Sequence, residues 1–213
     1  MTQPRQARRY DSSGRQAQAR QNRERILAVA TRLFVAQGYA GTSIAQIAAE
    51  AGVSAPTVFA GFRSKPNLLK EAVDVAVVGD DEPVPLAQRP VMHRVLSAAT
   101  AAEAVERIAD LAVDVIGRTA RLYSVVYRAA DGDPEIAALA RTLDEQRLTG
   151  AERMAGVLAR LLGTGDPARI AEIRDVIWTL DAPDVHTMLV GERGWTVERY
   201  RDWLARALAG TIL

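Results

Sequence analysis

Apolar residues recur along the chain with a helical period almost throughout. From Asn22 onward, Ile26, Ala30, Leu33 and Phe34 share one face at the i, i+4, i+7, i+8 spacing, and Gly38 supplies a C-cap. Thr42 and Ser43 offer N-caps to a second, short helix, with Gln46 placed three residues after Ser43 as in a capping box. Ile44, Ile47, Ala48 and Ala51 form the buried face of that helix, and Gly52 ends it. Ser54 caps a third helix in which Val58 and Phe62 point inward four residues apart. Ser64 caps a fourth, with Pro66 in its first turn and Leu68, Leu69, Ala72, Val73 and Ala76 behind it. Residues 79–85 (GDDEPVP) are acidic and carry proline, so they break the pattern. Helical periods then predict segments near 86–98, 101–117, 118–130 and 134–162, a turn at 163–167, a stretch over 168–190 bent at Pro183, and a last helix near 196–208. No strand-like alternation of useful length and no internal repeat occurs, so the predicted fold class is all-α.

The second and third helices are joined by Ala51-Gly52-Val53-Ser54, which reads as a helix-turn-helix. The glycine allows a left-handed turn and Val53 plugs the angle between the helices. A third helix held this way is free to enter a DNA major groove. Charge supports the reading. The net charge is +1, yet residues 1–70 carry 11 Lys/Arg against 3 Asp/Glu, leaving 16 against 23 for the remainder. A basic first third on an acidic remainder points to a polyanionic partner for the first third alone. Residues 1–20 are polar and rich in Arg and Gln, and are expected to form a flexible basic arm. The expected organisation is therefore an arm over 1–20, a DNA-binding domain over 21–78 and a larger helical domain over 86–213. With no cysteine there is no disulfide framework, thiolate nucleophile or cysteine metal site. No apolar run approaches the roughly 20 residues of a membrane helix, and no secretion signal is apparent, which points to a soluble, cytoplasmic protein.

The run from Arg25 to Val73 closely resembles the DNA-binding domain of the TetR family of transcriptional regulators. The motifs that carry the resemblance are ILxxAxxLFxxxGYxxTS, IAxxAGVS and FxSKxxLL, in that order. The stretch from Arg193 to Leu208 looks like the last helix of many members. By resemblance, Thr42 and Ser43 open the second helix at the DNA, with the Thr42 hydroxyl on a phosphate. Ser54, Ala55, Pro56, Thr57, Phe59, Ala60 and Gly61 then span the recognition helix, and Lys65 meets a phosphate. Helix N-termini and a lysine placed there suit anions on physical grounds as well. Phe59 and Gly61 depart from the family, which usually has tyrosine and an aromatic or histidine at these places. Phe59 has no hydroxyl for a phosphate, Gly61 has no side chain, and Ala60 is short, so direct readout is expected to be weak, with Thr57 the best hydrogen-bonding residue. Contact with a thymine methyl is open to Ala55, Pro56 or Ala60. Of the arm's arginines, Arg20 and Arg23 lie nearest the first helix and are candidate DNA contacts, whereas Arg5, Arg8 and Arg9 either enter a minor groove or add only nonspecific attraction.

The resemblance also implies that the acidic two-thirds supplies a homodimer interface and a site for a small-molecule effector. Ile170, Ile173 and Ile177 on one late helix, with Tyr200, Trp203, Leu204 and Leu208 on the other, form apolar stripes that suit either the chain's own core or a four-helix interface with a second copy. The interface is the favoured expectation. Met92, His93, Tyr123, Tyr127, Met154 and Trp178 are the candidate pocket residues, because pockets combine apolar walls with a few polar groups. Arg94 and Arg128 are placed to meet an acidic ligand or a nearby carboxylate.

No catalytic constellation is found. The two histidines, His93 and His186, lack metal-ligand spacing, and there is no phosphate-cradling loop or nucleophile elbow. Asp131, Asp133 and Glu135 begin like a calcium loop without its later ligands, and Asp133 reads better as an N-cap. No cofactor and no metal are expected. The chain is therefore expected to be no enzyme but a dimeric, ligand-responsive regulator, a repressor that an effector releases from a pseudo-palindromic operator on double-stranded DNA. The alternative is a helical ligand-binding or scaffolding protein whose helix-turn-helix no longer reads sequence, which Phe59, Ala60 and Gly61 motivate.

Overall fold

The computed structural model describes residues 12–80, 82 and 84–213. These are helical, with no strand among them. The elements in order are α1 (Ser12–Gly41), α2 (Ile44–Glu50), α3 (Ala55–Phe62), α4 (Lys65–Val78), a 3₁₀ turn (Leu86–Gln88), α5 (Pro90–Leu96), α6 (Ala101–Ala130), α7 (Pro134–Leu162), α8 (Pro167–Leu180), α9 (Pro183–His186) continuing into a π-helical turn (Thr187–Glu192), and α10 (Val197–Ile212).

Local chemistry sets most of these boundaries. Ser43, Ser54, Ser64, Thr100, Asp133, Asp166 and Thr196 each cap the helix that follows through a side-chain oxygen. Gln46 does not close the expected box, because its amide turns to Glu50 Oε1 at 3.4 Å. Gly52 is left-handed at φ 65°, and Gly38 breaks α1 near its end at φ 74°.

Two helices are longer than the sequence pattern suggests. α1 starts at Ser12, so the segment 12–20 is helix rather than flexible arm. Its Gln, Ala and Arg residues are strong helix formers, and Gln18 Nε2 donates to Asn22 Oδ1 at 3.1 Å one turn on. Arg5, Arg8 and Arg9 lie outside the described residues. α6 is a single 30-residue helix in which Gly117 causes no break. Gly117 costs it only about 1 kcal/mol relative to alanine, too little against a stripe that runs from Ala104 to Val126 on one face.

The core forms two clusters. The first joins α1–α4 to the C-terminal half of α6 and the N-terminal half of α7, through Phe34, Ile47, Val58, Phe62, Leu69, Leu122, Val126, Ile136 and Leu143. The second joins α5, the other halves of α6 and α7, α8 and α10, through Val95, Ile108, Leu158, Ile173, Tyr200 and Leu208. The small N-terminal head is thus seated on one end of the α6–α7 pair.

The second cluster corrects the expected dimer surface. Ile173, Ile177, Tyr200, Leu204 and Leu208 are at most 1% exposed in the single chain, sealed by its own helices. They cannot also contact a second copy. Ile170 and Trp203 are half-buried against the same cluster.

Candidate nucleic-acid interface and ligand cavity

The helix-turn-helix is held by a compact set of contacts. Val58 and Phe62 are buried on the inner side of α3, which leaves Pro56, Thr57, Phe59, Ala60 and Gly61 exposed and Ala55 half-buried. Ser54 Oγ accepts from the Thr57 N–H at 3.3 Å and shares a second hydrogen bond with Thr57 Oγ1 at 2.8 Å. The Thr57 hydroxyl is thereby turned back onto the cap. Ser43 Oγ accepts from the Gln46 N–H at 3.1 Å while remaining exposed.

Three expected DNA contacts have structural partners within the chain. Thr42 is 1% exposed, and its hydroxyl donates to the Gly38 carbonyl at 2.8 Å, so the hydroxyl is occupied in closing the α1–α2 turn. Lys65 Nζ donates to the carbonyls of Tyr39 (2.9 Å) and Thr42 (3.0 Å) and lies 3.9 Å from the Tyr39 ring centroid. Burial pulls this ammonium below its usual range, against the opposing pull of Asp133. Arg23 pairs with Glu71 at 2.6 Å and sits 5.1 Å from the Phe62 ring centroid, bridging α1 to α3 and α4. These positions lock the head together. For Lys65 the sequence signal is ambiguous because partners 23 and 26 residues away leave no local trace. Arg20 is exposed, as is Arg63, the one non-glycine residue with positive φ among the described residues, at 65°.

Of the candidate pocket residues, the fold brings Tyr123 and Met154 together around a cavity of about 120 Å³. Val77, Leu86, Leu111, Ala112, Val115 and Ile116 supply most of its apolar wall, and Gln146, Arg147 and Asp181 its polar side. Val77 and Tyr123 belong to the first core cluster, Leu86, Leu111 and Met154 to the second, so the cavity occupies the seam between them.

Arg147 organises the polar side. Its Nη2 donates to the Trp178 carbonyl (2.7 Å) and to Asp181 Oδ1 (3.0 Å), with the guanidinium 5.2 Å from the Trp178 ring centroid. Asp181 is pushed up to about 6, because burial outweighs the pull of Arg147. Burial likewise raises Tyr123, to about 12. Tyr127 stands one turn away and donates to Asp144 at 2.6 Å. Trp178 therefore joins the cavity's support through its carbonyl and ring. Met92 packs in the α5 core, and His93 and Arg94 are exposed beside it. Arg128 faces an open cleft between the end of α1 and α6. Sequence reasoning passed over Arg147 and Asp181, whose pairing spans 34 residues.

A short capped helix presented outward from a helix-turn-helix, on a helical bundle that encloses a cavity, is the fold of the helix-turn-helix regulators. Residues 26–72 match the model of the tetR family of bacterial regulatory proteins, so this part of the chain is similar to the DNA-binding domain of that family. Solved structures extend the likeness beyond that domain at the level of fold. The regulator FadR from Bacillus subtilis, in complex with stearoyl-CoA, is 15% identical with a TM-score of 0.69, covering 89% of this chain and 99% of its own. A regulator from Saccharomonospora viridis in complex with choline is 22% identical with a TM-score of 0.58, covering 88% and 95%. A transcriptional regulator from Rhodococcus sp. Rha1 is 18% identical with a TM-score of 0.61, covering 89% and 95%. No curated protein matches the sequence.

Proposed function

We propose that the protein is a ligand-responsive repressor that binds a pseudo-palindromic operator as a homodimer, with α3 of each copy in a major groove. The observation that carries the reading is the outward face of α3, which is exposed while the residues beneath it are fixed by Val58, Phe62 and the Ser54 cap. Ser43, Ser54 and the exposed residues of α3 are the DNA-facing set, with Arg20 as a phosphate or minor-groove contact. Lys65, with two of its three ammonium donors used inside the head, has one left for a phosphate.

Dimerisation rests on what α8 and α10 leave outside. Ala168, Ala171, Val176, Thr179, Leu180 and Thr211 line a shallow groove on them, with the carboxylates of Glu172 and Asp175 at its edge. Small side chains permit close approach of the same two helices from a second copy, giving a four-helix contact about a two-fold axis.

The seam cavity is the effector site. Pockets for drug-sized ligands span about 300–1,000 Å³, so a space of about 120 Å³ suits a small molecule and not a long acyl chain. Among proteins of this fold, the one solved with choline is the nearer guide in ligand size, and the one with stearoyl-CoA the poorer. A ligand wedged between the two core clusters favours whichever head position leaves it room, and it acts only through that difference in affinity.

The direct test is selection of binding sites from a random duplex library at near-physiological salt. A two-fold symmetric consensus is expected. A merely A·T-rich pool would assign recognition to arginines preceding α2, and no enrichment with folded protein would overturn the proposal in favour of a ligand-binding scaffold.

A further inference from the structure

On the reading that α3 faces DNA, we infer that it recognises bases through the C5-methyl groups of thymine, with Phe59 the principal contact, rather than through hydrogen bonds to base edges.

The chemistry of α3 leaves little else. Its sequence, APTVFAGF, contains no amide, carboxylate, lysine or arginine. In the major groove, guanine is read by Arg or Lys at O6 and N7, adenine by Asn or Gln at N6 and N7, and cytosine by a carboxylate at N4. None of those readers is available here. The only hydroxyl exposed on the helix is that of Thr57, and it is tied at 2.8 Å to Ser54 Oγ. The thymine methyl is the one major-groove group that an apolar side chain satisfies.

The exposed surface fits that target. Phe59 is 50% exposed, a large apolar ring on the outer side of a helix whose inner side is filled by Val58 and Phe62. Pro56 and Ala60, also exposed, extend the apolar surface. Gly61 lowers the helix surface next to them, and the fold does not require it: a Cβ there meets nothing within 4 Å, and its φ lies outside the left-handed range. The bare position lets the backbone come close to the groove floor. Arg63, an exposed cation, lies beyond the helix at its C-terminal end.

The test uses the full-length chain and the consensus operator obtained by selection. Thymines at the half-site positions facing α3 are replaced one symmetric pair at a time by uracil, which lacks the methyl but pairs identically. Burial of one methyl is worth about 0.8 kcal/mol, or about fourfold in affinity. A symmetric pair is therefore expected to weaken binding by about 15-fold at fixed salt. Phe59→Ala should bring the thymine-to-uracil ratio close to one, Phe59→Leu should restore part of it, and Arg63→Ala should leave it unchanged. Circular dichroism checks that each variant is folded. Equal binding of the thymine and uracil operators by the wild type, or a consensus without thymine in the half-sites, overturns this inference and leaves the repressor reading standing. Failure to select any symmetric consensus overturns both.

Discussion

Lys65 separates a structural role from a DNA-binding one, and Lys65→Met tests which dominates. Methionine keeps most of the apolar stem and removes the ammonium. Two carbonyls, of Tyr39 and Thr42, lose their donor, and the Tyr39 ring loses its cation. Hydrogen bonds from a charged donor contribute about 1.5–3 kcal/mol each. The side chain is only half-buried, so the lower end applies and water recovers part of the loss. Allowing for non-additivity within one cluster, the expected cost is about 2–3 kcal/mol. For a chain of this length that is about 4–12 °C in melting temperature. Urea unfolding followed by far-ultraviolet circular dichroism measures the stability change. DNA affinity from 50 to 200 mM salt measures the other role, since one lost phosphate contact flattens the log–log slope by about 0.9. Stability unchanged within about 0.5 kcal/mol, together with a flattened slope, would refute the structural assignment and make Lys65 a phosphate contact alone.

Three further outcomes are expected. Asp181 is held near 6 rather than at its ordinary 3.8, so its contribution to stability is full below pH 4 and is lost as pH rises through 6. Relative to Asp181→Asn, the wild type should therefore lose up to about 3 kcal/mol between pH 4 and pH 7. The opposite trend in chemical unfolding would show that the Arg147 ion pair outweighs burial. Arg118 Nε and Nη2 donate to the last carbonyls of α4, Ala76 at 2.8 Å and Val77 at 3.1 Å. Arg118→Met should cost about 1–2 kcal/mol in urea unfolding, and an unchanged midpoint would remove this strap from the α4–α6 contact. Ala171→Arg, placed in the groove on α8, should yield monomers in sedimentation velocity where the wild type sediments as a dimer, and a persisting dimer would move the interface elsewhere.

Short-range chemistry was legible in the sequence and long-range pairing was not. The caps Ser43, Ser54, Ser64 and Asp133, the left-handed Gly52 and the bounds of α7 follow from residues within one turn of each boundary. The sequence pattern divides α6 after Gly117, while the continuous stripe across that glycine that keeps it whole depends on what it packs against. Lys65 read as a surface cation because nothing near it in sequence shows that Tyr39 and Thr42 turn their carbonyls toward it.

The same cause explains the stripes on α8 and α10. Periodicity reports that one face of a helix avoids water, and says nothing of what covers it. Ile173 and Ile177 on α8 and Tyr200, Leu204 and Leu208 on α10 suit both readings, own core and partner interface, and the family resemblance alone favours the interface. Their burial in the chain's own second cluster decides between them. What remains outside includes a groove of small residues, Ala168, Ala171 and Thr211 among them, too weakly apolar to stand out in any periodic pattern. On the proposed dimer reading, such a face joins two copies through close approach of small side chains about a two-fold axis. The residues that pattern analysis ranks highest on α8 and α10 are therefore those consumed by the chain's own core.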